Sequence, residues 1–383
     1  MLLSVDALMA NARGISAINI EDVDAREPLT VLVDSLNSEA RLSASGQAAM
    51  EARLLRILVN RLRMERDYRT YPEIEAQRVI EPVFVFGLPR SGTTKLQKVL
   101  SATGDFSALP LWMAHNPSLM SGDRSEDPTG RVRDTDDYVR WIESTSPDAR
   151  RVHAFETQEP EEVNPILEQA LRSAYLPAFV QVPSYIAWYV AQPPQLALAY
   201  LKQVLKYLQW QFDIDARRSW VLKNPTFLGM ESVVKELFPD ARLIMTHRHP
   251  AAIIPSSASL IVHFHKLYSE IDVAHIAGRM MLEGQSAAMS QHLRARAEPP
   301  GLDLIDVSYS ELTQQSTAMI ERAYEHWGMP FTDATRRSIE AWEATDRKHG
   351  RGAHRYRAAD YGLSDAEITA RFDDYIRRFA VLF

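Results

Sequence analysis

The sequence predicts an α/β fold in which helices cover both faces of a central parallel sheet. An apolar, β-branched and aromatic run at residues 83–86 stops at a glycine and is followed by helical sequence. Three similar runs come later, each also followed by helical sequence: residues 220–222, 242–246 and 304–307. Short apolar runs that alternate with helices are typical of parallel strands buried on both faces.

The composition restricts the class of protein. The chain has 383 residues, of which 46% are apolar and 24% are charged, as is ordinary for a globular protein. Its formal net charge is −7, so a nucleic-acid partner is not expected. It has no cysteine, which excludes disulfides, thiolate nucleophiles and cysteine-bound metals. Because the first residues lack the pattern of a secretory signal, a cytoplasmic location is expected.

Residues 1–79 are predicted to form a helical N-terminal extension. Apolar residues between positions 50 and 64 recur at three- and four-residue intervals, as in an amphipathic helix, and Ser43 or Ser45 is a candidate cap for it. This layer is expected to pack on the main domain or on a second subunit, so a homodimer stays open. The main domain then covers residues 80–383.

Within the main domain, residues 110–215 are predicted to be a helical insertion without a strand. An insertion above the carboxyl ends of the strands is where a substrate pocket is expected. Residues 123–137 are polar and charged and are predicted to form a loop or lid. Residues 174–201 are strongly apolar, but four prolines interrupt them, so no membrane span is expected there.

The junction between the first strand and its helix carries the strongest functional signal. Residues 87–94 read GLPRSGTT and almost fit the pattern G-x4-G-K-[ST], with Gly92 and Thr94 in register. The backbone N–H groups and the helix N-terminus of such a loop bind phosphate. Thr93 stands at the lysine position, and Arg90 lies inside the loop. The fold is therefore predicted to be of the P-loop type, with a nucleotide site that is not built for ATP hydrolysis.

Further polar residues follow the other predicted strands. Arg248 follows the third run and Ser256 comes eight residues later, so a guanidinium and a hydroxyl can converge on one phosphate. Lys223 follows the second run, and Tyr309 follows the fourth, where a purine could stack. A glycine-punctuated basic loop near the end of the chain includes Arg351. These groups are expected to meet at the carboxyl edge of the sheet.

In this order, the motifs resemble those of the sulfotransferase family, specifically bacterial members related to the cytosolic and tyrosylprotein enzymes. Residues 87–94 resemble the loop that binds the 5′-phosphosulfate, and Arg248 with Ser256 resembles the 3′-phosphate site. Other family landmarks are matched at residues 160–162, 222–225 and 238–242. The resemblance covers roughly residues 80–380.

The resemblance implies a donor and a set of binding residues. The donor is 3′-phosphoadenosine 5′-phosphosulfate, its product is adenosine 3′,5′-bisphosphate, and no metal is required. Five loop residues are implied to bind the 5′-phosphate end: Arg90, Ser91, Gly92, Thr93 and Thr94. Arg248 and Ser256 are implied to bind the 3′-phosphate, and Tyr309 the adenine.

Two further roles follow from the resemblance and from the charge that develops during transfer. Arg351 is implied to lie at the phosphate rim. Lys223, together with Arg90 and the loop N–H groups, is expected to stabilise negative charge on the bridging oxygen.

The sequence leaves several candidates for the general base that takes the acceptor's proton. They are Glu162 or Glu161, and His153. Two adjacent glutamates point to different faces of a helix, so at most one of them is expected to face the site. Met113 stands where the tyrosylprotein enzymes have a glutamate base, and Thr226 follows the Lys-x-Pro landmark, where related bacterial members often have a histidine.

The predicted reaction is in-line transfer of a sulfuryl group to the hydroxyl, or amine, of a small acceptor. Aromatic residues of the insertion favour a lipophilic or aromatic acceptor, although more than half of them are expected in the core: Trp112, Tyr175, Phe179, Tyr185, Trp188 and Tyr189. One alternative is a P-loop nucleotide or small-molecule kinase, which predicts magnesium-dependent ATP binding. The other is a nucleotide-binding regulatory protein without turnover.

Overall fold

The strands form one parallel sheet. The computed structural model describes residues 2–348 and 356–383. Its strands are β1 (Val83–Gly87), β2 (Val221–Lys223), β3 (Arg242–His247) and β4 (Leu304–Ser308). They pair in parallel in the order β2-β1-β3-β4. All four predicted strands are confirmed, with ends that differ by a single residue.

Helices surround the sheet and make up most of the chain. Before β2 they are α1 (Val5–Ser16), α2 (Val23–Ser38), α3 (Ala44–Thr70), α4 (Thr93–Ala102), α5 (Leu111–His115), α6 (Thr129–Thr145), α7 (Ala149–Val152), α8 (Asn164–Gln169), α9 (Pro183–Val190) and α10 (Gln195–Phe212). After β2 they are α11 (Glu231–Leu237), α12 (Pro250–His265), α13 (Ala274–Ala297), α14 (Tyr309–Gln314), α15 (Ser316–His326), α16 (Asp333–Lys348), α17 (Asp365–Arg371) and α18 (Asp373–Arg378). Short 3₁₀ turns lie at Pro72–Ile74, Leu176–Ala178, Pro225–Phe227, Ala358–Tyr361 and Ala380–Leu382.

Alternate side chains of the strands build an apolar core on each face of the sheet. Phe84 and Phe86 belong to one core, together with side chains of α10, α11 and α13. Val83 and Val85 belong to the other, together with side chains of α4, α15 and α16. Successive strand residues point to opposite faces, so a fully apolar strand must be covered on both sides. The predicted three-layer α/β fold is confirmed.

The N-terminal helices contribute to a third core. Side chains of α1, α2 and α3 pack there with the insertion and with the C-terminal end of α12, including Phe179, Phe264 and Tyr268. Ser43 is the cap of α3, because its Oγ accepts a hydrogen bond from the N–H of Gly46 at 3.0 Å. This core connects the extension to the insertion rather than directly to the sheet.

The insertion is helical, as predicted, and the structure, which describes all of residues 110–215, places α5 to α10 but no strand there. The prediction for residues 123–137 was wrong in its second half, since α6 already begins at Thr129. Only three of the seventeen residues of α6 are buried, so most of its side chains are polar and its sequence resembles that of a loop.

The order of the strands determines where a ligand can bind. The chain leaves β1 toward β2 on one side, whereas β3 pairs with β1 on the other. The crevice outside the carboxyl ends of β1 and β3 is therefore a topological switch point, where open parallel sheets bind their ligands.

Candidate active site

The loop between β1 and α4 requires glycine at both ends. Gly87 has φ = 145°, and a Cβ there would lie 2.5 Å from the carbonyl oxygen of Thr246 on β3. Gly92 caps α4 with φ = 102°, a conformation that residues with a side chain rarely adopt. In the described part of the chain, no side chain caps α4. Its first-turn N–H groups therefore point from the helix N-terminus toward the crevice, as in an anion site.

Ser91 fixes the loop to the sheet. Its side chain is fully buried, and its Oγ lies 2.5 Å from the carbonyl oxygen of Leu88 and 2.6 Å from Oγ1 of Thr246. Its N–H donates to the same Leu88 carbonyl at 3.1 Å. Thr93 is also buried, whereas Thr94 is exposed at the first turn of α4. The side chains of the loop thus differ in role. That of Ser91 fixes the conformation of the loop, and that of Thr94 faces outward.

The predicted 3′-phosphate residues lie against this loop. Arg248 donates from Nη1 to the carbonyl oxygen of Arg90 at 3.0 Å, and Arg90 donates from Nε to the Oγ of Ser256 at 3.3 Å. The guanidinium of Arg248 stands 4.2 Å from the centre of the Tyr309 ring. That ring in turn lies beside Gly92, where a Cβ would be 3.1 Å from Cδ2 of Tyr309. Residues from β1, β3 and β4 therefore form one continuous surface.

Lys223 lies at the other end of the crevice. Its side chain is buried, and its Nζ is 2.6 Å from Oε1 of Glu162, 3.2 Å from Oγ1 of Thr94 and 3.9 Å from Oε1 of Glu161. The ammonium therefore lies at the first turn of α4, where an anion on the loop would sit. The carboxylates of Glu161 and Glu162 pair with this ammonium.

Glu161 also holds His153. The Oε2 of Glu161 is 3.2 Å from Nε2 of His153, and both side chains are largely buried. Burial by itself raises the pKa of the Glu161 carboxyl, but the adjacent His153 and Lys223 outweigh burial and hold that pKa well below its ordinary value. Glu161 is therefore ionised at neutral pH and can orient the imidazole through one of its ring nitrogens.

The expectation that only one of the two glutamates faces the site was wrong. Residues 161 and 162 precede α8 and are not helical, so the helical spacing does not apply to them. Both carboxylates approach Lys223, and they differ in their second partner: His153 for Glu161, and the Nδ2 of Asn164 for Glu162.

A partly buried network that the sequence analysis missed supports the end of β3. Nε2 of His247 lies 2.8 Å from Oδ1 of Asp306, and Arg296 donates to both oxygens of Asp306 at 2.6 and 2.7 Å. Burial raises the pKa of Asp306, but His247 and Arg296 outweigh it and lower the pKa below its ordinary value. The sequence did contain one signal for this network, because the acidic Asp306 interrupts the apolar pattern of β4. The network holds the backbone from which Arg248 projects.

The comparison with known families agrees with this geometry. Residues 82–333 match the model described as the Sulfotransferase family, which is more than half of the chain. The chain belongs to the sulfotransferase family.

Two solved structures are similar to this sulfotransferase over nearly the whole chain. The sulfotransferase STF1 from Mycobacterium tuberculosis is 28% identical, with a TM-score of 0.81, and the match covers 97% of this chain and 99% of that one. The sulfotransferase STF9 from Mycobacterium avium is 23% identical, with a TM-score of 0.85, covers 99% and 97%, and supports the fold alone. A search of curated protein sequences found no significant match.

The remaining predictions concern Arg351, the aromatic residues of the insertion and a membrane span. Arg351 lies outside the described residues. Trp112, Phe179 and Tyr185 are buried, and Tyr175, Trp188 and Tyr189 are half-buried, so half of the aromatic set is buried rather than the expected majority. Across residues 2–348 and 356–383, no helix is long and apolar enough to span a membrane.

Proposed function

We propose that this enzyme transfers the sulfuryl group of 3′-phosphoadenosine 5′-phosphosulfate to the hydroxyl, or amine, of a small lipophilic or aromatic acceptor. The observation that carries the proposal is the meeting of three groups at one sheet edge. They are the uncapped N-terminus of α4, the pair Arg248 and Ser256, and the buried Lys223. A nucleotide with phosphate groups at both its 5′ and 3′ positions offers an anion to each part of this surface.

The residues that are present fit the donor. The N–H groups of the loop and the side chains of Arg90 and Thr94 would bind the 5′-phosphosulfate, and Ser91 would contribute by keeping the loop closed. Arg248 and Ser256 would bind the 3′-phosphate, with Tyr309 beside them for the adenine. When bound, the donor supplies an activated sulfuryl group with the bisphosphate as its leaving group.

Lys223 is proposed to stabilise the charge that develops on the leaving oxygen. Its Nζ already lies 3.2 Å from Oγ1 of Thr94 at the phosphate-binding helix. Because its side chain is buried and little water competes, its positive charge acts strongly on a neighbouring oxygen. The pairing with Glu161 and Glu162 keeps this buried ammonium in place before the donor binds.

Among the three candidates, His153 is proposed as the general base. Glu161 is bonded to one ring nitrogen of His153, which leaves the other ring nitrogen to accept a proton from the acceptor. Glu162 is less suited, because its carboxylate is already bonded to Lys223 and Asn164. A carboxylate that orients an imidazole is the arrangement by which several hydrolases position their base.

The test is calorimetric titration of adenosine 3′,5′-bisphosphate without metal, with ATP plus magnesium as the parallel ligand. Micromolar binding of the bisphosphate and little binding of ATP is the expected result. A preference for magnesium ATP would instead assign the site to a kinase. Tight bisphosphate binding without sulfation of any alcohol, phenol or amine in a broad panel would favour a regulatory protein.

Arg248→Ala is expected to weaken bisphosphate binding by roughly 10- to 100-fold, because it removes charge-assisted hydrogen bonds to a phosphate. The matched control is Arg242→Ala at the opposite end of β3, where the guanidinium is bonded to Glu81 at 2.6 Å. Equal affinity in the two variants would show that the 3′-phosphate site is elsewhere.

A further inference from the structure

The last helix of the chain packs against the end of β3, from which Arg248 projects. Three aromatic residues from α18 and the positions after it form what we call the C-terminal ring cluster: Tyr375, Phe379 and Phe383. The centres of the Tyr375 and Phe379 rings lie 5.8 and 4.5 Å from that of His247. The Phe383 ring lies 5.3 Å from Tyr375 and 5.5 Å from His249. The cluster therefore contacts the residue on each side of Arg248.

The hydroxyl of Tyr375 supplies the polar contact of this cluster. Tyr375 is 1% exposed, and its Oη lies 3.1 Å from Nδ1 of His247. Burial raises the pKa of Tyr375 above its ordinary value, although the backbone N–H of Arg248, which interacts with the same oxygen, opposes the rise. The phenol therefore keeps its proton at neutral pH and can both donate and accept a hydrogen bond.

The neighbouring acid determines the direction of the hydrogen bond between Tyr375 and His247. Nε2 of His247 lies 2.8 Å from Oδ1 of Asp306, which is ionised at neutral pH, so Nε2 carries a proton and donates it. Burial lowers the pKa of His247, so its ring is neutral. A neutral imidazole with its proton on Nε2 has a lone pair on Nδ1, which accepts from the hydroxyl of Tyr375. Tyr375 thereby leaves its own oxygen toward the backbone N–H of Arg248.

The backbone at this point determines where the Arg248 side chain lies. Its Nη1 donates to the carbonyl oxygen of Arg90 at 3.0 Å, and its guanidinium stands 4.2 Å from the centre of the Tyr309 ring. Arg90 follows β1 and Tyr309 follows β4, so a displacement of residue 248 at the end of β3 would change both contacts. Binding groups keep a productive orientation only when packing and outer hydrogen bonds hold them there.

We infer that Tyr375 is a positioning residue for the 3′-phosphate site: through the backbone of residues 247 and 248, it holds the Arg248 guanidinium in the orientation that binds the phosphate. The inference rests on the proposed function, because it concerns the nucleotide that Arg248 binds. It makes the preference for a 3′-phosphate depend on a helix outside residues 82–333, the part that matches the family model. A tyrosine that only filled the core would affect stability without affecting this preference.

The test compares two ligands that differ only in the 3′-phosphate, adenosine 3′,5′-bisphosphate and adenosine 5′-monophosphate. In calorimetric titration of the full chain, Tyr375→Phe is expected to lower the affinity for the bisphosphate by roughly 3- to 10-fold, as for loss of one hydrogen bond. The affinity for the monophosphate should stay at the wild-type value. Equal losses for the two nucleotides, or no loss for either, would overturn the inference.

Tyr324→Phe is the matched control. Tyr324 is also buried, and its hydroxyl is bonded to Oδ2 of Asp105 at 2.8 Å, beyond the C-terminal end of α4 and away from the phosphate loop. This variant should lower the thermal transition, because a buried hydrogen bond is lost, and leave the affinity for both nucleotides unchanged. If it weakens bisphosphate binding as much as Tyr375→Phe does, the effect is general destabilisation and the inference is rejected.

A double-mutant cycle tests whether Tyr375 acts through Arg248. In the Arg248→Ala background, Tyr375→Phe should cause no further loss of affinity for the bisphosphate, because the side chain that it positions is already absent. This cycle decides the question even where the monophosphate binds too weakly to measure. Additive losses would show that Tyr375 affects the nucleotide by another route and would reject the inference.

Two further outcomes are planned for. If Tyr375→Phe does not fold, as judged by its thermal transition, Phe383→Ala takes its place with the same expected loss, since Phe383 is 38% exposed and contacts both Tyr375 and His249. If the wild type does not bind the bisphosphate, or if Arg248→Ala binds it equally well, the proposed function fails and the inference fails with it. The inference alone fails when Arg248→Ala weakens binding and Tyr375→Phe does not.

Discussion

Two regions of the molecule, the strand-end side of the crevice and the insertion side, are assembled in different ways. The strand-end side is defined by residues 87–94, Arg248, Ser256 and Tyr309, and each of its groups lies on the loop or in the helix that directly follows a strand of one sheet. The insertion side is defined by Arg53, His153, Glu161 and Glu168, which lie on helices and loops outside the sheet. Arg53 pairs with Glu168 across 115 positions and with Tyr268 across 215. The first side is determined by local backbone geometry, whereas the second depends on how helices pack.

This difference predicts which property of the protein a single substitution in each region changes. Variants on the strand-end side should change the affinity for the nucleotide, because that surface consists of backbone N–H groups and of arginine side chains in fixed positions. Variants on the insertion side should change turnover or stability, because its charged groups are buried and depend on one another. Each prediction below contrasts one change with a matched control.

The largest effect is expected for Lys223→Met, which keeps the length of the side chain and removes its charge. The turnover number should fall by roughly 10²–10³-fold, because a buried donor next to the leaving oxygen is lost. The control is Lys202→Met on α10, where the ammonium is bonded to the carbonyl oxygen of Leu237. Steady-state kinetics and a thermal transition measured together separate catalysis from stability. An unchanged turnover number would remove Lys223 from the mechanism.

The next largest effect is expected for His153→Ala, with a turnover number roughly 10²-fold lower and an unchanged affinity for the bisphosphate, as for loss of a general base. His326→Ala, which removes a surface pair with Asp303, should behave like the wild type. Comparison of Glu162→Gln with His153→Ala identifies which of the two residues is the base. If it lowers turnover more than His153→Ala does, the base is Glu162.

A pH effect on stability is expected from His265, at the contact between α12 and the insertion. Burial lowers its pKa to about 4, although the backbone of Pro177 opposes the shift. Between pH 6.5 and pH 4 the unfolded chain therefore binds more protons than the folded one, and stability falls as the pH decreases through that window. The loss amounts to about 3 kcal/mol once the pH is below both values.

His265→Gln should remove the part of the acid-induced loss that comes from His265, whereas the buried His115 and His247, whose pKa values are also lowered by burial, keep their parts. The measurement is the free energy of unfolding in urea at pH 7.5 and pH 5 for the wild type and the variant. His275→Gln, at an exposed position on α13, should retain the wild-type dependence. A wild-type stability that does not change between these pH values would contradict the assignment of His265 as a buried neutral group.

The smallest effect is expected for Gly92→Ala compared with Gly104→Ala. Both glycines have a positive φ, 102° and 82°, so each alanine costs roughly 1–2 kcal/mol of strain. Only at position 92 would the new Cβ also meet side chains, at 3.0 Å from Leu312 and 3.1 Å from Tyr309. Gly92→Ala alone should therefore weaken bisphosphate binding several-fold, and calorimetry checks it. Equal affinities of the two variants for the bisphosphate would show that the loop accommodates the new Cβ at position 92.

Much of the strand-end side could be predicted because its signals are local. An apolar run that stops at Gly87, a second glycine at position 92 and an arginine just after β3 each reflect a constraint on nearby backbone. The insertion side gave weaker signals. The pairing of Arg53 with Glu168 leaves no spacing pattern, and the polar sequence of α6 gave no sign that the ring of Trp141 contacts that of Tyr268.

The sequence by itself determined the parallel sheet, the glycine loop between β1 and α4 and the family resemblance, because strands, glycine turns and helix starts depend on interactions within a few residues. Only the tertiary structure decided that both Glu161 and Glu162 reach Lys223, that Glu161 holds His153, and that Ser91 bonds to Thr246 rather than facing outward. These contacts arise when separate elements pack and exclude water, and the resulting charge balance depends on all the partners at once.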